Sequence, residues 1–96
     1  MVIYLAFVQR DLTRILKYYR DEAEIGLADR FFDVFIATVA KAEANPELFH
    51  PFGEGFRRAN LKGFPYHFLY RKVEGGIKVM ILRHHSRNSA LGLGRR

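Results

Sequence analysis

The pattern of apolar and polar positions in the first half of the chain predicts a strand followed by a helix. Residues 2–8 (VIYLAFV) are rich in β-branched and aromatic side chains, which favours a strand. Because both faces of this run are apolar, we expect it in the interior of a sheet. Asp11 then lies near the start of a helix, where a carboxylate is favourable. An apolar stripe with helical spacing follows, formed by Leu12, Ile15, Leu16 and Tyr19.

A second helix is predicted from about Leu27 to Ala44. Gly26 lies in the break before it, and Asn45-Pro46 ends it because proline disfavours helical geometry in the residue that precedes it. We expect one wide apolar face to form core, made of Phe31, Phe32, Phe35, Ile36 and Val39. Two helices joined by a short turn make a helical hairpin that can cover a sheet.

The second half of the chain predicts three strands, at residues 56–62, 66–72 and about 77–83. Gly63-Phe64-Pro65 and Glu74-Gly75-Gly76 supply the two turns. In the middle strand, alternation places Tyr66, Phe68 and Tyr70 toward the helices, and His67 and Arg71 outward. We expect the tail from about residue 89 to be mobile because its helical propensity is weak.

The predicted fold is therefore α+β with the element order βααβββ. A helical hairpin packs on one face of a small, mostly antiparallel four-stranded sheet, and residues 1–96 form a single domain. The chain is 49% hydrophobic and 15% aromatic, so it holds enough apolar material for a core.

Charge is distributed unevenly along the chain. Residues 1–49 hold six basic and eight acidic residues, a net charge of −2, whereas residues 50–96 hold ten basic and two acidic residues, a net charge of +8. This asymmetry favours an anionic partner for the second half, either nucleic acid or an acidic protein segment. The alternative is a cationic face that serves only solubility.

The absence of cysteine excludes disulfides and thiolate metal sites and suits a reducing cytoplasm. No run of residues approaches the length of a membrane span. His84 and His85 are adjacent on or just after a strand, so they point to opposite faces and make a poor metal pair. We expect a cytoplasmic protein with neither metal nor cofactor.

Several segments, taken in order, resemble the ParE/RelE superfamily of toxins. The order βααβββ agrees with it, as do the helix-one segment at residues 11–19 (DLTRILKYY), the block at residues 63–70 (GFPYHFLY) and the ending His84-His85-Ser86-Arg87-Asn88 after an apolar strand. The resemblance spans nearly the whole chain. It implies the toxin of a type II toxin–antitoxin pair, of the kind known as plasmid stabilisation proteins.

The resemblance also implies a partner, an acidic antitoxin whose C-terminal segment wraps the toxin. The charge asymmetry fits such a partner. Exposed apolar positions on the helical hairpin, around Tyr18 and Val34, are where we expect the antitoxin to dock. Padding at the edge of the core is the alternative role of these two residues.

One branch of the superfamily, the RelE-like toxins, cuts mRNA on the ribosome. Attack by a ribose 2′-OH on the adjacent phosphate needs a base, an acid and cations that stabilise the phosphorane charge. The candidates for these roles are Arg58, His67 and Arg87. Arg57 could replace Arg58, and further candidates at the end of the last strand are Arg83, His84 and His85. Position 67 holds histidine where RelE-like sequences tend to have arginine, and Leu91 stands where they often have tyrosine. Both departures weigh against the ribonuclease hypothesis.

The other branch, the ParE-like toxins, inhibits DNA gyrase by protein contact and stalls its DNA cleavage complex. The Phe64-Pro65-Tyr66 block and the His84-x-x-Arg87 ending resemble this branch more, so we favour a gyrase inhibitor that is not an enzyme. An inactive member that only binds an antitoxin is a third hypothesis. We expect the target to meet a basic sheet face that comprises Arg57, Arg58, Lys62, His67, Arg71, Arg83, His84, His85 and Arg87.

Overall fold

A computed structural model describes residues 1–86 and shows, within them, two helices packed on a five-stranded mixed sheet. The elements in chain order are β1 (Val2–Tyr4), α1 (Ala6–Glu22), α2 (Leu27–Ala44), β2 (His50–Pro51), β3 (Arg57–Asn60), β4 (Tyr66–Val73) and β5 (Gly76–His84). The α+β class and the helical hairpin on a sheet are confirmed. The extra strand arises because His50 and Pro51 pair with β3. The predicted mobile tail and Arg87 lie outside the described residues.

The strands lie in the order β1-β5-β4-β3-β2, with β1 parallel to β5 and the other neighbours antiparallel. The prediction that the first strand is interior was therefore wrong, because β1 has a neighbour on one side only. The amino group of Met1 forms an ion pair with Glu43 of α2. This contact fixes the edge strand to the helical layer.

The first strand is also shorter than predicted, because α1 begins at Ala6 rather than near Asp11. The Leu5 carbonyl accepts a hydrogen bond from the amide of Val8 at 2.9 Å, which starts the first helical turn. Val8 lies four residues before Leu12 and extends the helical stripe toward the N-terminus, and its side chain is only 1% exposed. Helical burial of Val8 therefore outweighs the strand propensity of the segment, and Asp11 lies in the second turn.

Helix α2 has the predicted bounds, and Gly26 precedes it with a φ of 90°, a backbone conformation that favours glycine. Phe31, Phe35 and Val39 are buried as predicted, but Phe32 and Ile36 are each 42% exposed. The core prediction for these two residues was wrong. The positions i, i+4 and i+8 face the sheet, and each next residue is rotated about 100° toward solvent. No described helix is long and apolar enough to cross a membrane.

The sheet buries apolar side chains on both faces. The main core, between sheet and helices, includes Phe35, Phe68 and Tyr70. The opposite face carries a second cluster of Leu69, Met80 and Ile81, against which the loop residues Phe52 and Phe56 pack. A register shift between Leu69 and Tyr70 makes Met80 an additional residue of β5, so Met80 and Ile81 both join this cluster. The face away from the helices is thus only partly cationic, contrary to the prediction.

Replacement of Phe31 by alanine is expected to destabilise the fold far more than the same change at Phe32. The Phe31 ring is fully buried, at 0% exposure, against Tyr19, Phe64 and Tyr66. A cavity of this kind costs about 3–5 kcal/mol of unfolding free energy. For Phe32→Ala we expect less than about 1 kcal/mol. Urea unfolding followed by circular dichroism measures both, and equal losses for the two variants would contradict the orientation of α2.

Candidate functional site: a histidine pair between two arginines

Four predicted site residues meet on the sheet face away from the helices. His67 of β4 is paired with Arg83 of β5, and Arg58 of β3 is paired with Leu69 of β4. His85 follows β5, and its backbone amide donates to the carbonyl of Pro65 at 2.9 Å, which continues the pairing of β4 with β5 by one residue. Arg58, His67, Arg83 and His85 are called the open-face cluster below.

The members of the open-face cluster form one chain of hydrogen bonds. Nε of Arg83 donates to Nε2 of His67 at 3.0 Å, and the two Nδ1 atoms of His67 and His85 lie 2.9 Å apart. Nη2 of Arg58 lies 3.2 Å from the same Nδ1 of His85. The two imidazole rings are nearly parallel and meet edge to edge, with centroids 5.1 Å apart and an interplanar angle of 14°. The order in space is therefore Arg83, His67, His85 and Arg58.

The two guanidinium groups determine the tautomers of both rings, because a guanidinium only donates hydrogen bonds. Nε2 of His67 must accept from Arg83, so the proton of the neutral ring lies on Nδ1. That Nδ1–H donates to Nδ1 of His85, which also accepts from Arg58. The proton of His85 consequently lies on Nε2. Both histidines are neutral in this arrangement.

Burial and the neighbouring cations keep the rings neutral. Burial, followed by the charges of Arg58 and Arg83, lowers the pKa of His67 from 6.5 to about 3. Burial and then Arg58 also lower the pKa of His85. Their accessibilities differ, because the His67 side chain is 1% exposed whereas His85 is exposed. His85 and Arg58 are thus the outer members of the cluster, and His67 is an inner one.

Arg57 lies on the other side of the sheet from Arg58. It is paired with Tyr70 of the main core, and its Nη1 donates to the carbonyl of Phe49 at 2.8 Å. The hydroxyl of Tyr70 donates to the carbonyl of Pro46 at 2.7 Å in the same loop. These bonds hold residues 46–49 against the sheet. The structure therefore separates Arg57 from the predicted basic face.

The other predicted basic residues are dispersed. His84 packs on Tyr66 with ring centroids 5.1 Å apart, so it lies on the helical side while His85 lies on the opposite side. Lys62 is exposed in the turn after β3, and Arg71 is exposed toward the far end of β4, where it is paired with Lys78. Within residues 1–86 no group of three or more His, Cys, Asp or Glu side chains suits a metal ion.

Three neighbours of the cluster were not predicted. His50 is paired with Arg58 across β2 and β3 and is exposed. The side-chain oxygen of Asn60 accepts from Nε of Arg58 at 2.9 Å. The guanidinium of Arg83 lies 5.8 Å from the centre of the Phe52 ring. Alternation along the strand predicted at residues 56–62 could have indicated Asn60, which is two residues after Arg58. No local pattern indicates His50 or Phe52.

The two residues predicted to contact an antitoxin lie on the helical hairpin. Tyr18 is 58% exposed, whereas Val34 is half-buried and packs against the main core. Phe32 and Ile36, one turn apart on α2, add exposed apolar surface that was predicted to be core. A groove between α1 and α2 runs beside Phe32, and it is lined by Leu16, Arg20, Ala28, Asp29, Phe32 and Asp33.

Comparison with known proteins identifies the family. Residues 2–89 match the model of the ParE toxin of type II toxin–antitoxin systems, parDE. The chain belongs to the ParE toxin family. It is also 30% identical over 82 residues to Toxin ParE2 of Mycobacterium tuberculosis, in strains CDC 1551 and H37Rv, and the match covers 84% of this chain and 77% of the relative.

Membership in the ParE family confirms the resemblance found in the sequence, including the ParE-like branch. It implies an antitoxin partner. Of the three residues proposed as a ribonuclease set, the structure brings Arg58 and His67 into one cluster. His67 lies on the face away from the helices, as predicted, but it is buried there and is not open to solvent.

The stability of this ParE protein is expected to fall in acid because of His67. Its folded pKa of about 3 lies below the unfolded value of 6.5, so the unfolded state binds more protons between these values. The contribution of His67 is complete above about pH 6.5 and is lost as the pH falls toward 3, by up to about 1.4 kcal/mol per pH unit. Urea unfolding at pH 7.5 and pH 5 measures this loss.

Two variants separate His67 from other titrating groups. In His67→Gln the amide oxygen accepts from Arg83 without titrating, so the loss of unfolding free energy between pH 7.5 and pH 5 should shrink. His50→Gln, at an exposed histidine, should leave the loss unchanged. The same pH dependence in wild type and His67→Gln would contradict a buried, neutral His67.

Proposed function

We propose that this ParE protein is a cytoplasmic toxin that inhibits DNA gyrase by stalling its DNA cleavage complex, and that an acidic cognate antitoxin neutralises it. Family membership supports the toxin role, and the ParE-like branch is the one that acts on gyrase. The observation that carries the choice of target is the burial of His67 within the hydrogen-bonded chain.

A buried His67 is unsuited to ribonuclease chemistry. A general base must come within about 3 Å of the ribose 2′-OH or reach it through one water molecule. Both ring nitrogens of His67 are already in hydrogen bonds, and the side chain is 1% exposed. A pKa of about 3 also makes it a poor proton donor at neutral pH. Inhibition through protein contact requires none of these properties.

One observation favours mRNA cleavage as the second candidate function. His85 is exposed, neutral and adjacent to Arg58, with Nη2 of Arg58 3.2 Å from Nδ1 of His85. A neutral imidazole can take a proton from a 2′-OH, and a guanidinium can stabilise the charge of a phosphorane. In this alternative His85, rather than His67, is the base.

The antitoxin is proposed to engage the helical hairpin as well as the cationic half of the chain. Phe32 and Ile36 offer apolar side chains on α2, and Tyr18 offers an aromatic ring on α1. Such exposed apolar positions suit an amphipathic partner segment. The net charge of +8 over residues 50–96 suits an acidic partner, which also shields the surface that meets the target.

The first test combines two assays on purified protein. We expect linear DNA to accumulate when gyrase and plasmid are incubated with the toxin and the reaction is stopped with detergent and protease. We expect intact mRNA when the same protein is added to programmed ribosomes. Addition of the antitoxin should abolish the gyrase effect. Unperturbed gyrase together with cut mRNA would overturn the proposal in favour of the second candidate.

Variants extend the same test. His67→Gln should retain gyrase inhibition to within about twofold if His67 only supports the fold, with samples compared at pH 7.5, where the variant is expected to be stable. His85→Gln should likewise leave mRNA intact, as wild type does. Normal growth of cells that contain folded protein at confirmed levels would instead indicate an inactive member that only binds an antitoxin.

A further inference from the structure

Arg58 presents positive charge at the surface without a negative charge among its hydrogen-bond partners in residues 1–86. Within the described residues Arg58 bonds to Asn60 and His85, both of which are neutral. The ion pairs of residues 1–86 use Asp11, Asp21, Glu24 and Glu43, all from the first half of the chain. From Arg57 to the C-terminus the sequence has one acidic residue, Glu74. The charge of Arg58 is therefore available to a ligand.

We propose that Arg58 and His85 bind a backbone phosphate of DNA, so that the toxin contacts nucleic acid as well as protein. Two sets of donors are available for the phosphate. In the described part of the chain Nη1 of Arg58 makes no hydrogen bond, because this side chain bonds through Nε and Nη2. The tautomer assigned to His85 places a proton on Nε2 of an exposed ring. The charged guanidinium forms strong hydrogen bonds with phosphate oxygens, and the Nε2–H of the neutral His85 ring adds a second donor beside it.

The inner residues position this pair. The His85 ring is hydrogen-bonded to His67, and His67 is held by Arg83, which is only 6% exposed. Asn60 orients the guanidinium of Arg58 through Nε. Both outer side chains are thus placed before a ligand arrives, which reduces the conformational entropy that binding costs.

Neighbouring aromatic rings favour nucleic acid over an acidic peptide. Phe52 and Phe56 are half-buried on the same face and pack against the cluster that contains Leu69, the residue paired with Arg58. A cationic site beside aromatic rings is the combination with which proteins bind a phosphate backbone and stack its bases. Hydrogen bonds from Arg58 alone do not distinguish DNA from RNA; the choice of DNA rests on the proposed action on gyrase.

Binding at this site should strengthen as the pH falls. The groups that surround His85 are Arg58 on β3, His67 on β4, and Arg83 and His84 on β5, with His50 on β2 opposite Arg58. Burial, followed by the charges of Arg58 and His84, disfavours protonation of His85 in the free protein and lowers its pKa, and a phosphate anion opposes that effect. Binding of the phosphate therefore favours uptake of a proton by His85, so the affinity of the site for phosphate increases in mild acid.

Fluorescence anisotropy with a labelled single-stranded deoxyoligonucleotide, in chloride buffer and without gyrase, tests the proposal on the full chain. Arg58→Gln should weaken binding about tenfold or more, which corresponds to about 1.4 kcal/mol. Arg10→Gln removes the same charge from an exposed position on α1 and should change binding by less than about twofold. Circular dichroism confirms that both variants are folded, and inorganic phosphate should compete with the oligonucleotide.

The remaining arms distinguish the alternatives. The proposed site is supported if wild type binds the oligonucleotide more tightly at pH 6 than at pH 7.5 and if this difference is smaller in His85→Gln. Equal weakening by Arg58→Gln and Arg10→Gln would show a response to net charge only and overturn it. An RNA of the same sequence that binds tighter would overturn the choice of DNA, and hexaglutamate that displaces DNA at equal concentration would assign the site to an acidic peptide. Because gyrase is absent, these outcomes are independent of gyrase inhibition.

Discussion

The hydrogen bond from Arg83 to His67 determines much of the chemistry of this molecule. Arg83 is almost fully buried on the face of the sheet away from the helices. A buried guanidinium needs hydrogen-bond acceptors because an unpaired buried charge is costly. His67 supplies the acceptor only as a neutral ring with its proton on Nδ1. This requirement passes to His85 through the contact between the two rings. Arg83, whose guanidinium only donates hydrogen bonds, thus determines the protonation of both histidines. Arg58 and His85 are the members of the cluster that remain at the surface.

The sheet makes this burial possible because both of its faces are covered. The helical hairpin covers one face, and the loop containing Phe52 and Phe56 folds over part of the other. The additional residue Met80 in β5 lets two consecutive side chains join the second cluster. Arg83 therefore lies beside an apolar patch, with Phe52 under its guanidinium, rather than on an open cationic surface. A basic surface remains, but it is smaller than the sequence indicates and is concentrated at Arg58 and His85.

Local patterns predicted the parts of the fold that depend on local physics. Asn45-Pro46 and Gly26 delimit α2, and the Gly-containing turn before Ile77 separates β4 from β5, so these bounds agree with the structure. The predicted end of the first strand was wrong: residues 5–8 have strand propensity, but Val8 completes the buried stripe of α1. Propensity is a weak prior that tertiary packing overrides. The edge position of β1 depends on pairing with β5, 75 residues later at Val2 and Ile77.

The candidate site was only partly predictable for a similar reason. Strand alternation correctly separated His67 from Tyr66 and Phe68, and the adjacency of His84 and His85 correctly placed their rings on opposite sides. Alternation gives the face of a residue but not its accessibility. Leu69, on the same face as His67, was the one local indication that this face is partly apolar, while its cover comes from a loop more than ten residues away. The contact between His67 and His85 depends on the pairing of His67 with Arg83, two residues before His85, and alternation alone does not give that register.

Long-range ¹H–¹⁵N correlation spectra of the imidazole rings, recorded from pH 8 to pH 4, test the central claim most directly. We predict that His67 remains neutral with its proton on Nδ1 throughout this range. We also expect His85 to carry its proton on Nε2 at neutral pH and to become protonated only below the ordinary pKa of histidine. A His67 ring that titrates near pH 6.5, or that carries its proton on Nε2 at neutral pH, would contradict the hydrogen-bonded chain on which the proposed site depends.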